Sequence, residues 1–126
     1  MKRIAIQLIV CALAGAALLA AQDPRGKVLG LVEDTSGAAV PGVRIAALHL
    51  GMNVRVTATS NAAGRYEFPF LLPGAYRVTA EAPGFKTWVR EPVEVRVGDS
   101  IAVDIRMELG DLSESITVTA ETSLLE

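Results

Sequence analysis

Histidine, cysteine and tryptophan occur once each in 126 residues, and Phe, Tyr and Trp together make only 5% of the chain. The shortage of histidine excludes the most. A catalytic zinc centre of the two-histidine-and-glutamate type needs ligands that His49 alone cannot supply. A Ser/His/Asp triad would need the same residue, and no nucleophile elbow is present. His49 falls on a predicted strand, where a hydrogen-bonded or partly exposed structural role accounts for it. No glycine-rich loop opens a helix, so no phosphate cradle is expected. Asp99, Asp104 and Asp111 lack the clustered spacing of a calcium loop. A Lys–Asn crosslink from Lys27 finds only Asn53 and Asn61, both at turns. Neither a metal nor a cofactor is expected, and no catalytic residues are assigned.

Basic surplus is missing as well. Twelve Lys and Arg stand against fourteen Asp and Glu, for a net charge of −2. The signs alternate along the chain without forming a basic patch, which argues against nucleic acid as a partner. No polybasic or amphipathic helical segment suits a membrane surface.

What is present begins with a leader. Lys2 and Arg3 precede an apolar run from Ile4 to Ala21, broken only by Gln7, after which Gln22-Asp23-Pro24 is polar. A basic start, an apolar middle and small residues at the end make a secretory signal peptide over residues 1–21, with cleavage expected after Ala21. An uncleaved anchor is the other reading of this run, which lies near the lower limit for a span. Cys11 lies inside the run, and Val10 before it does not fit a lipoprotein signal. The mature chain then has no cysteine, hence no disulfide, and ten basic residues against fourteen acids give it a charge of −4. It would carry no membrane span. About 105 residues remain, enough to fold on an apolar core.

Those residues alternate with period two. Lys27 to Asp34 reads as a central strand, with Gly30 marking a bulge or a close backbone approach. Val43 to Leu50 and Val54 to Ser60 read as a hairpin about Gly51–Asn53. Arg65 to Phe70 places Tyr66, Phe68 and Phe70 on one face, with Pro69 marking an edge or a bulge. Tyr76, Val78 and Ala80 alternate with charged and polar neighbours. Phe85, Thr87 and Val89 alternate with Lys86, Trp88 and Arg90, and after Pro92 three valines at 93, 95 and 97 do the same. Ile101 to Met107 closes the pattern. Many short alternating runs with frequent turns indicate an all-β antiparallel sandwich. A helical repeat is missing outside the leader. Glu114 to Ala120 is one more strand-like run, so residues 110–126 are either a linker or an extra strand.

Five motifs occur in order: Val28–Asp34, Gly37–Val43 with its Pro41-Gly42, Thr59–Phe68, Leu72–Val78 and Ala82–Phe85. Together they resemble the carboxypeptidase regulatory-like domain, which implies a transthyretin-like Greek-key sandwich of about seven strands over residues 25–109. The tail from Gly110 to Glu121 looks like the segment that joins such a domain to the plug of TonB-dependent outer-membrane receptors. No plug or barrel is present, so transport is not carried over.

Two function classes follow. The first is a non-catalytic, exported module of the periplasm, outer membrane or cell exterior that contacts an envelope protein or downstream receptor domains. The second is a carbohydrate-binding module of starch-binding-like architecture. Trp88 is the residue on which they differ. If Phe85, Thr87 and Val89 face the core, Trp88 stands outward between Lys86 and Arg90, a possible surface contact able to stack on a sugar or a partner. If the face is reversed, Trp88 is core. Tyr66 and Tyr76 fall on the expected inner face, which leaves one platform residue and favours the first class.

Overall fold

The computed structural model describes residues 2–20, 25–111 and 113–119. The expected cleavage point after Ala21 and the tail from Ala120 onward lie outside the described residues. The leader forms one helix, α1 (Lys2–Ala20). Among the described residues no helix is long and apolar enough to cross a membrane.

Among the described residues nine strands follow: β1 (Gly26–Asp34), β2 (Arg44–His49), β3 (Val54–Thr59), β4 (Arg65–Leu71), β5 (Gly74–Glu81), β6 (Thr87–Val95), β7 (Ser100–Ala102), β8 (Ile105–Met107) and β9 (Ser115–Thr119). They form two sheets. The smaller has the order β4-β1-β7, with β8 also on β1; the larger runs β3-β2-β5-β6-β9. Inward residues alternate as the period demands, and Val28, Val32, Ile45, Val78, Ile105 and Met107 are almost completely buried between the sheets. The sandwich is therefore all-β as expected, but not purely antiparallel. β7 and β8 run parallel to β1, and β9 runs parallel to β6.

Gly30 shows why the last core run splits into β7 and β8. A Cβ there would lie 2.0 Å from the carbonyl oxygen of Val103 and 2.9 Å from the Tyr66 ring. Val103 closes onto β1 through its N–H to Leu29 O at 2.8 Å, and the Asp104 carboxylate accepts the Leu31 N–H at 3.1 Å. The glycine is a close backbone approach, one of its two expected roles.

Three inward–outward expectations change. Phe70 is exposed (62%) and Leu71 takes the inner place, because the β1–β4 register shifts between Gly26 and Val28. This is the irregularity that Pro69 signalled. Val97 ends in a turn and is exposed. The third concerns Trp88. It pairs with Ala80, whose side chain faces the core, and is only 4% exposed. The register shift on β6 between the partners of Tyr76 and Val78 reverses the parity of Thr87–Arg90 relative to Val93 and Val95. A large indole inside and Thr87 and Val89 outside buries more apolar area than the reverse.

The tail becomes β9, an edge strand with Ile116 half-buried and its other four residues exposed.

Candidate functional site

The three residues singled out for surface contact do not form one surface. Trp88 is in the core. Arg90 stands opposite Val78 and also points inward, its Nε buried and without a hydrogen-bond partner. Lys86 reaches Glu114 at 3.5 Å and Glu108 at 3.9 Å, and its stem lies over Gly110. It holds the start of the tail against the sandwich, so its stem packs as well as its charge pairs. Outward stacking by Trp88 is thus corrected, and the reversed-face reading describes the structure.

Histidine chemistry is likewise taken up by structure. His49 is buried beside Tyr76, ring centroids 5.0 Å apart and nearly perpendicular. Its Nδ1 accepts the Met52 N–H at 2.9 Å. That assigns the proton to Nε2, which donates to Pro73 O at 3.0 Å. The ring fills the space above Gly74, whose φ of +148° and lack of Cβ admit it. Tyr76 Oη donates to Leu72 O at 2.6 Å, and burial pushes its phenol pKa up. Two aromatic rings therefore lock the Leu72–Gly74 turn to the β2–β3 hairpin. Sequence reasoning placed His49 on a strand; its partner across 24 residues had no local signal.

Tyr66 extends under Gly30 and donates to Val103 O. Burial raises its pKa well above the ordinary value, the nearby Asp104 adds to this, and Arg90 partly opposes it. Such a phenol stays protonated and serves as a strut.

The carboxylates hold turns. Asp34 accepts from Ser36 Oγ and from the Ser36 and Ala38 N–H groups, and the Ser36 hydroxyl chiefly lowers its pKa. Asp99 accepts the Arg96 N–H at 3.0 Å. Asn61 accepts the Ala63 and Arg65 N–H groups, a local turn role. Lys27 pairs with Glu67 at 3.6 Å. Among the described residues no three His, Cys, Asp or Glu side chains are grouped to hold a metal ion. The surface hollows are open. One of about 450 Å³ lies over β1 and β4, lined by Lys27, Leu29, Arg65 and Glu67 with Thr59 at its rim. A smaller one of about 180 Å³ lies between the β3 and β4 edges and includes Val56 and Phe70.

Comparison with known proteins bears on this site. The carboxypeptidase regulatory-like domain model matches residues 27–108, and the chain belongs to that family. No curated protein matches it by sequence. Among solved structures, hydroxyquinol 1,2-dioxygenase from Pseudomonas putida DLL-E4 aligns at TM-score 0.58 and 13% identity, over 70% of this chain and 57% of that one. The minor pilin GBS52 of Streptococcus agalactiae aligns at 0.55 and 12%, over 71% and 46%. A candidate carbohydrate-binding protein from Bacteroides uniformis ATCC 8492 aligns at 0.54 and 20%, over 67% and 41%. This chain spans less than two thirds of each. An oxygenase, a pilin and a candidate carbohydrate-binding protein that align with this sandwich establish the fold and leave function to the site.

Proposed function

We propose that this is a non-catalytic, exported envelope module that contacts a protein partner through a sheet edge. It resembles the N-terminal domain of a TonB-dependent receptor, acting in the periplasm, at the outer membrane or outside the cell. The helical leader with its basic start supports export. The β9 edge carries the reading. Thr87 N–H bonds to Glu114 O at 2.9 Å, which starts the parallel ladder between β6 and β9. In such a ladder alternate residues serve one neighbour, so Ser115 and Thr117 turn their backbone groups away from β6. An outward row of donors and acceptors is the surface that an extended partner segment adds to. His49, the buried phenols of Tyr66 and Tyr76, and the Asp34, Asp99 and Asp104 carboxylates have structural roles that compete with chemistry.

Site-specific photo-crosslinking in the exporting cell tests this reading. A photoreactive residue at Thr117 is expected to give a discrete adduct with one envelope protein, lost in Ser115→Pro. The same group at Ala62, in the β3–β4 turn, is expected to give none. Equal labelling from both positions would discard the edge reading.

Carbohydrate binding is the second reading, favoured by one exposed aromatic ring, Phe70, under the Arg25 guanidinium at 4.8 Å. It is weaker because Trp88, Tyr66 and Tyr76 are buried. A glycan array decides it: binding lost in Phe70→Ala would install it in place of the first.

A further inference from the structure

The outer face of the smaller sheet is self-complementary in charge. β1 is central in that sheet, and its outward residues are Lys27, Leu29, Leu31 and Glu33. The row reads cation, apolar, apolar, anion, with Gly30 at its midpoint. On β4, Glu67 stands beside Leu29 and Arg65 beside Leu31, and the midpoint is Tyr66, which pairs with Gly30. On the other side of β1, Ser100 stands beside Lys27, Ala102 beside Leu29 and Arg106 beside Glu33. Asp104 comes between Ala102 and Arg106 and accepts the Leu31 N–H at 3.1 Å. Its predecessor Val103 is the midpoint there, packed against Gly30. Tyr66, Gly30 and Val103 thus mark one line across the sheet.

A two-fold axis parallel to that line, just above the face, lays a second copy on the first with its strands reversed. Lys27 then meets the second copy's Glu33, Leu29 its Leu31 and Glu67 its Arg65. Ala102 meets Asp104, and Ser100 meets Arg106. No charge stands directly opposite its like. The face holds three cations and three anions, so two copies meet without net repulsion. The larger sheet fails the same operation. Its outward row on β5 is Ala75, Arg77, Thr79 and Glu81, and reversal sets Arg77 against Thr79 and Glu81 against Ala75. Stacked sheets cross at about 30°, and Lys27 and Glu33 lie about 10 Å from the axis at about 3.3 Å per residue. The crossing therefore displaces these partners by about 5 Å, a gap that Lys and Glu side chains span.

The face is open for such contact. Arg65, Glu67, Asp104 and Arg106 are exposed, and both leucines are half-buried. Among the described residues Glu33, Arg65 and Arg106 form no ion pair, and Lys27 pairs with Glu67. Leu29 lines a hollow of about 450 Å³ and Leu31 one of about 260 Å³, so each leucine is set against the hollow of the other.

We infer that this face joins two copies of the chain in an isologous dimer. The leucines exclude water at the centre, and the charge rows fix the register. β9 belongs to the other sheet, so both copies keep that edge free for a partner, and the inference stands apart from the edge reading. Three strands of seven residues give a footprint of roughly 14 by 23 Å, below the size of a standard stable interface, so the dimer is weak.

Sedimentation velocity of the full chain with Cys11→Ser tests it, from about 10 μM to about 1 mM as a weak dimer requires. The unaltered face is expected to pass from monomer to dimer across that range. Lys27→Glu and Glu33→Lys, each checked for unchanged far-UV circular dichroism, are each expected to weaken association at least about tenfold, since the like-charge contact occurs twice per dimer. An equimolar mixture of the two variants is expected to recover the dimer, with each altered charge facing its opposite. Residues 27 and 33 lie about 20 Å apart on one strand, so recovery comes only from contact between copies. Monomer at every concentration overturns the inference. So does association equal in all variants, which is what the apolar helix α1 alone would give. A mixture that dimerises no better than the single variants overturns it as well.

Discussion

Truncating Trp88 to alanine separates a core role from a surface role in one measurement. The indole is 4% exposed, opposite Ala80 on β5. A buried aromatic of this size removes about 150–250 Å² from water, worth roughly 4–6 kcal/mol at 25 cal/mol/Å². Partial collapse of the site lowers the net cost to the usual range of about 3–5 kcal/mol for Trp→Ala. The position beside the thin edge strand β9 favours the lower figure, about 3 kcal/mol. Against a total stability of about 5–15 kcal/mol this is a large loss. Each kcal/mol moves the midpoint of a domain of this size by about 4–8 °C, so Tm falls by at least about 12 °C. Urea unfolding followed by far-UV circular dichroism gives the free energy. Trp88 is the only tryptophan, so native emission reports it alone and is expected to be blue-shifted and resistant to acrylamide. A loss below about 1 kcal/mol, or quenching like that of free indole, would refute the burial and restore Trp88 as a contact residue.

Four further outcomes test other parts of the structure. Gly30→Ala drives a methyl into Val103 O and is expected to cost at least about 3 kcal/mol, read by the same urea titration. His49→Ala leaves Met52 N–H and Pro73 O without their partner and is expected to cost about 1–3 kcal/mol, with faster hydrogen exchange confined to the hairpin tip and the Leu72–Gly74 turn. The Tyr66 phenol has its pKa raised in the folded state, so its contribution is complete below the unfolded value near 10 and falls as pH rises above it. Tyr66→Phe is therefore expected to cost about 1 kcal/mol at neutral pH yet to flatten the alkaline loss of stability. Deleting residues 111–126 removes β9, in which Ile116 alone is half-buried, and is expected to cost only about 1–2 kcal/mol with the remaining sheet signal intact.

Much of the sandwich is legible because a strand with one buried face must alternate, and turns need glycine and proline. Gly30 was readable for this reason: a glycine inside an apolar strand has few other uses. Parity across a register shift is another matter. Nothing local distinguishes Trp88 inward from Val89 inward, since both give an alternating pattern; the choice depends on Ala80 across the sheet and on the extra residue in β6. Phe70 fails in the same way one residue past Pro69. His49 and Tyr66 were placed on their strands, but their partners, Pro73 and Val103, are carbonyls distant in sequence that no side-chain pattern marks.

The same reasoning explains why candidate function was harder to read than fold. Period-two alternation describes the strands, and His49, Tyr66, Tyr76 and Trp88 are taken up in packing or in holding a turn. What remains free is backbone at an edge and side chains on outer faces. A β9 edge has no residue signature, because the groups that a partner would bond are main-chain atoms common to all sequences.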